Sequence, residues 1–98
     1  MNKYNKGRRY EYEVKNHLEE MGALVLRTAG SHSPIDLIAI WDNKIWAIQC
    51  KSIKKINSKT KQECKEFHNL SLHPVIEKFF YVNEDGKEVA MSANGDIK

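Results

Sequence analysis

Three residues near the middle of this 98-residue chain have side chains that can act on a phosphate: Asp36, Gln49 and Lys51. The segment from Asp36 to Lys51, DLIAIWDNKIWAIQCK, is two apolar runs joined by a polar turn at Asp42-Asn43-Lys44. Strand alternation places Asp36, Ile38 and Ile40 on one face and Ile35, Leu37, Ala39 and Trp41 on the other. On the second run Ile45, Ala47, Gln49 and Lys51 share a face, so Gln49 and Lys51 point the same way. If Asp36 shares that face, an acid, an amide and an ammonium converge at one end of a hairpin. Two oxygen ligands can hold a hard divalent ion such as magnesium. The ion polarises a phosphate and acidifies a water, while a nearby lysine stabilises or deprotonates the nucleophile. The string D-x(12)-Q-x-K is weak on its own, because Asp36 can equally cap a turn and Lys51 can be a solvated strand end.

A helix must bring further groups to that hairpin. Tyr10, Val14, Leu18 and Met21 recur at helical spacing, which predicts an amphipathic helix over 4–21 ended by Gly22. With Val14 at the centre of the apolar stripe, Glu11 lies about 60° to one side and Glu13 about 100° to the other. Glu11 is therefore the acid that can reach the sheet, and Glu13 faces water. The bland alternative for Glu11 is an ion pair with Arg8 or Lys15 along the helix. Gly7 falls almost on the stripe, where the missing side chain would permit close backbone approach.

The remaining elements follow from periodicity and punctuation. Residues 23–28 read as a short buried strand, and 29–34 as a small-residue loop stopped by Pro34. Strands over 35–41 and 45–51 make the hairpin. A lysine-rich connection spans 52–58, and a helix over 59–70 has Cys64 and Phe67 on its inner face. A strand over 74–82, a turn at 83–87 through Gly86, a returning strand over 88–92 and a polar tail complete the chain. The order α-β-β-β-α-β-β describes a single α/β domain over 1–98, a mixed central sheet flanked by helices.

Composition is that of an ordinary soluble globular protein, 41% apolar and 30% charged. No apolar run approaches the roughly 18 residues of a membrane span, and no signal peptide precedes the first helix. Cys50 and Cys64 cannot make a disulfide framework, which points to a reducing, cytoplasmic setting. Alternation turns Cys50 away from Gln49 and Lys51, so it reads as core and not as a nucleophile. The four histidines form no zinc pattern with the cysteines. His32, in the loop, reads as solvated, and Trp41, Trp46, Phe79 and Phe80 as core or dimer interface. Net charge is only +3, but it is unevenly spread. Lys3, Lys6, Arg8, Arg9 and Lys15 stand against Glu11 and Glu13. Residues 51–66 hold six lysines against Glu63 and Glu66. Two basic stretches flanking the hairpin suit a phosphate backbone, or else are solvated faces.

Four segments taken together resemble one family: Lys6-Gly7-Arg8-Arg9-Tyr10-Glu11, Leu26-Arg27-Thr28-Ala29-Gly30-Ser31, Asp36-Leu37-Ile38-Ala39 and Gln49-Cys50-Lys51-Ser52. They are similar to the archaeal Holliday-junction resolvases of the PD-(D/E)xK, or restriction-endonuclease-like, nuclease superfamily. Pro34-Ile35-Asp36 stands for the PD half with one residue inserted, and the likeness covers roughly residues 3–56. It implies a restriction-endonuclease-like core and a magnesium-dependent endonuclease, with manganese as a substitute, that cuts four-way DNA junctions as a homodimer in recombination and repair. It implies metal contacts at Glu11 and Asp36, the catalytic lysine at Lys51, and phosphate or metal-site roles for Arg27 and Ser31. Ser33 is the alternative to Ser31, since the loop is one residue longer. Lys3, Lys6, Arg8, Arg9, Lys54 and Lys55 become candidates to track the DNA backbone, with Arg27 and Ser33 beside them.

Two departures accompany the resemblance. The family has Glu-x-Lys where this chain has Gln49-Cys50-Lys51. An amide oxygen still coordinates magnesium but without charge, so Gln49 as third ligand predicts weaker metal binding. Mrr-like relatives carry Gln-x-Lys, which leaves an Mrr-like or repair nuclease on duplex or flap DNA as one alternative. A silent DNA-binding relative is another. The chain is also shorter than typical resolvases, mainly after residue 92, which bears on the dimer surface and junction specificity. An archaeal or archaeal viral origin fits the resemblance.

Overall fold

The computed structural model describes residues 3–28 and 33–95, with side chains from Gly7 onward. Its elements follow the expected order: α1 (Lys3–Glu20), β1 (Leu24–Arg27), β2 (Leu37–Trp41), β3 (Lys44–Ile53), α2 (Ser58–His68), β4 (Ile76–Glu84) and β5 (Lys87–Met91). The strands make one mixed sheet in the order β1-β2-β3-β4-β5. Three neighbouring pairs are antiparallel. The β3–β4 pair is parallel, as it must be when α2 carries the chain back across the sheet.

Period-2 alternation divides the core in two. Leu37, Ala39, Ile48 and Cys50 turn toward α1 and pack with Tyr10, Val14, Leu18 and Val25. Phe80, Val82 and Met91 turn toward α2 and pack with Cys64 and Phe67. Each helix thus covers one face, and successive residues of β3 alternate between them. Tyr10, Val14 and Leu18 are buried, at four-residue spacing along α1. The helix then closes with the amide of Gly22 donating to the carbonyl of Glu19 and that of Ala23 to Leu18. This is a Schellman end, and Gly22 sits at φ +94°, a conformation that only glycine adopts freely.

Four expectations need correction. Met21 falls past the end of α1 and is 50% exposed, so it is not part of the stripe. Among the described residues nothing lies within 4 Å of where a Gly7 side chain would begin, so they make no close backbone approach there. Strand β1 lies at the sheet edge with only Val25 buried, leaving Leu24 and Leu26 exposed at 61% and 48%. Strand β3 runs two residues further than predicted, because parallel pairing with β4 holds Ser52 and Ile53 in the ladder.

Helix α2 begins with a reciprocal cap. The Asn57 side chain accepts from the Thr60 amide at 3.0 Å, and the Thr60 hydroxyl faces the Asn57 amide at 3.5 Å. Caps of this kind are worth about 1 kcal/mol. Asn57→Ala is therefore expected to lower the melting temperature by roughly 5 °C, measured by circular dichroism. Asn57→Asp, which keeps the acceptor, should restore most of it. Among the described residues no helix is long and apolar enough to cross a membrane.

Candidate active site

Asp36 sits just before β2, where backbone pairing continues beyond the strand. Its amide donates to the Ile48 carbonyl at 2.8 Å, and its carbonyl accepts from the Thr28 amide at 3.0 Å. Both neighbouring strands therefore fix its backbone. Its Oδ2 accepts a hydrogen bond from the Cys50 amide at 2.9 Å, which aims the carboxylate at the far end of β3. The preceding turn is held by Ser33, whose hydroxyl donates to the Ile35 carbonyl at 2.9 Å and accepts from the Ile35 amide. Thr28 donates to that same carbonyl.

Burial raises the Asp36 carboxyl to about 6, and the Glu11 carboxylate adds to the rise. The Cys50 hydrogen bond and the charges of Lys51 and Arg27 work in the opposite direction. Glu11, Asp36, Lys51 and Arg27 are thus one electrostatic neighbourhood. Glu11 reaches it from the edge of the α1 stripe, as its angle predicted. Its partner, however, is neither Arg8 nor Lys15 but Arg27 of β1, with Nε to Oε1 at 3.1 Å. Arg27 also lies over the Tyr12 ring at 5.0 Å, and Lys15 pairs with Glu19.

Gln49 and Lys51 point to the α2 side, the shared face that alternation requires. The Lys51 ammonium is in contact with the Glu63 carboxylate of α2. Gln49 Oε1 is buried and accepts no hydrogen bond, the one such side-chain atom among the described residues. It borders a cleft of about 320 Å³ shared with Pro34, Glu63, Glu66, Phe67 and Phe80. Among the described residues no three histidine, cysteine or acidic side chains gather as a metal cluster. Oxygen donors are nevertheless at hand in Asp36 and in the orphaned Gln49 amide, with Glu11 behind them. All are hard, which fits magnesium or manganese and not zinc.

Glu63 is the site residue that sequence reasoning missed, although a signal was present. Measured against the buried stripe of Thr60, Cys64 and Phe67, Glu63 lies about 60–70° off, the same edge position as Glu11 on α1. Cys50 is core, as predicted. Burial and the neighbouring carboxylates push its thiol up, away from the reactive thiolate.

The basic stretches meet elsewhere. Arg9, Lys54 and Lys55 line a groove of about 900 Å³ together with Ser52, Asn57 and Asn83, and with the acids Glu13 and Asp85. Arg9 also pairs with exposed Glu13 at 3.5 Å. Arg8 is exposed on the same helix. Lys3 and Lys6 belong to the opening of α1, but their side chains are outside the described residues, as are Ser31 and His32 altogether.

The family model for the archaeal Holliday junction resolvases (Hjc) matches residues 2–71, a span containing Glu11, Arg27, Asp36, Gln49, Lys51 and Glu63. The chain is 42% identical over 53 residues to the crossover junction endodeoxyribonuclease Hjc of Methanocaldococcus jannaschii. That match takes in 54% of this chain and 39% of the relative's length. The backbone is similar to the solved structure of Archaeoglobus fulgidus Hjc, a Holliday junction resolvase from an archaeal hyperthermophile. The TM-score is 0.63, over 90% of this chain and 73% of that one, at 19% identity. At that identity the likeness carries the fold, which is restriction-endonuclease-like.

Proposed function

Because the chain belongs to the archaeal Holliday junction resolvase family of PD-(D/E)xK nucleases, we propose that it is a metal-dependent endonuclease that hydrolyses phosphodiester bonds in four-way DNA junctions. The observation that carries this reading is the meeting of the Asp36 carboxylate with Glu11, Arg27 and Lys51 at one end of β2 and β3, beside an unsatisfied Gln49 oxygen.

Asp36, Gln49 and Glu11, directly or through water, are the residues that would hold a magnesium or manganese ion. Such an ion supplies Lewis-acid polarisation of the scissile phosphate and acidifies a water for in-line attack. The chain's own groups do the positioning. The Cys50 amide fixes Asp36, and Arg27 holds the Glu11 carboxylate against the sheet. Among the described residues Lys51 Nζ is the one ammonium of this neighbourhood, where it can stabilise or deprotonate the nucleophile. Arg9, Lys54 and Lys55 offer the DNA backbone three cations along one groove, which outnumber its acids Glu13 and Asp85, with Lys3, Lys6 and Arg8 on the same helix as Arg9. Ser31 or Ser33 is the serine of the site loop in this reading.

A homodimer completes the proposal, since two symmetric cuts need two sites related by a two-fold axis. The exposed Leu24 and Leu26 give edge strand β1 apolar surface of the kind an interface buries. A solution mass near twice 11.4 kDa is expected.

The experiment is cleavage of four-way junction, linear duplex and flap DNA with magnesium, manganese or EDTA. Cutting confined to the junction and abolished by EDTA is the expected result. Cutting of duplex or flap would replace it with an Mrr-like or repair nuclease. Binding in both metals without cutting would make this chain a silent DNA-binding relative, a reading that draws on Gln49 alone.

A further inference from the structure

We propose that Glu63 of α2 supplies the carboxylate that β3 lacks at Gln49, so that a divalent cation in this chain is held by Asp36, Gln49 Oε1 and Glu63 together. The proposal rests on the nuclease reading above and names a ligand set particular to this chain.

Alternation along β3 turns Gln49 and Lys51 toward α2, and α2 turns Glu63 toward them from the edge of its buried stripe. The carboxylate of Glu63 touches the ammonium of Lys51, which also acts on Asp36. Asp36 and Glu63 thus both act on one cationic group, the Lys51 ammonium, a position of positive charge that a metal cation would share.

A simple ion pair between Lys51 and Glu63 does not account for Gln49. Its Oε1 is buried with no donor, an arrangement that lowers stability when nothing offsets it. A cation held between Gln49 and the cleft would satisfy that oxygen. Pro34, two residues before Asp36, forms another part of the cleft wall, so the cleft abuts the segment that carries the central acid.

The Lys51–Glu63 contact then has a second meaning. Without metal, Lys51 neutralises Glu63. A cation held here would share Glu63 and leave the ammonium free to act on a phosphate. Glu66 lines the same cleft but lies a further turn-angle away, and its Oε1 accepts from Gln62 at 3.3 Å. It serves as the control.

The test is titration of the full chain with Mn²⁺ alone, followed by the electron paramagnetic resonance of the free ion. Glu63→Gln should weaken Mn²⁺ binding by roughly tenfold or more, and Glu66→Gln by less than about threefold. The double variant Gln49→Glu/Glu63→Gln, which moves the acid back to β3, should recover wild-type affinity and thereby show that the loss was not misfolding. Wild-type affinity in Glu63→Gln, with binding still weakened by Asp36→Asn, would overturn the role of Glu63 and leave the nuclease reading standing. Binding indifferent to Asp36→Asn would overturn both.

Discussion

Asp36→Asn is expected to lower cleavage by about a thousandfold or more and, in the same protein, to raise stability at neutral pH. The first effect follows from removing the central charged oxygen of the site. The second follows from what that charge costs the fold. Asp36 is half-buried beside Glu11 and ionises at about 6 instead of its ordinary 3.8. Between those two values the unfolded chain gives up the proton before the folded protein does. Stability therefore falls as pH rises through that window, and above it the folded state carries the full cost. Asparagine has no proton to lose, yet its side-chain oxygen can still accept from the Cys50 amide. With partial exposure discounted, the gain at pH 7.5 is about 1–2 kcal/mol and should vanish below pH 4. Thermal melts of both proteins at pH 3.5 and 7.5 check it. An equal difference at both pH values would mean that ionisation of Asp36 is not the cause. Such opposition between activity and stability is expected where a site holds a charge in a partly dry place.

Lys51→Met should separate chemistry from metal binding. The substitution removes the ammonium that faces both Asp36 and Glu63 while keeping much of the aliphatic stem. Cleavage is expected to fall by about 10²–10⁴-fold, the usual worth of a positioned acid–base or charge-stabilising group. Junction binding should change only a few-fold, since the cationic groove at Arg9, Lys54 and Lys55 is untouched. Mn²⁺ affinity should hold or rise, because the cation no longer competes with an ammonium for Glu63. Single-turnover cleavage, junction gel shifts and Mn²⁺ titration on the one variant give all three readings. Loss of DNA binding in step with cleavage would show that Lys51 acts as a backbone contact and not in the reaction.

Much of this architecture is written in local pattern. The spacing of Tyr10, Val14 and Leu18 specifies α1 and puts Glu11 at its edge. The alternation of Ile48 through Lys51 puts Cys50 in the core and sends Gln49 and Lys51 to the other face. These hold because helix and strand geometry act over a few residues and the apolar positions must face inward. The errors at Gly7, Met21 and β1 share one cause. Whether a position is crowded, covered or left at an edge depends on what packs against it from elsewhere, and one element's periodicity contains no such information.

The sequence by itself determined the order of elements, the inner faces of both helices and the convergence of Asp36 with Lys51. It also showed two basic stretches, but not that Arg9 shares a groove with Lys54 and Lys55. Only the tertiary structure decided the pairings between elements: Glu11 with Arg27 of β1 and not with its helical neighbours, and Lys51 with Glu63 of α2. It also left Gln49 Oε1 buried and unpartnered. The physical reason is distance along the chain. Face and register are set by bonds that span two to four residues, whereas a site is set by which charges the packed sheet and helices bring within a few ångströms of one another.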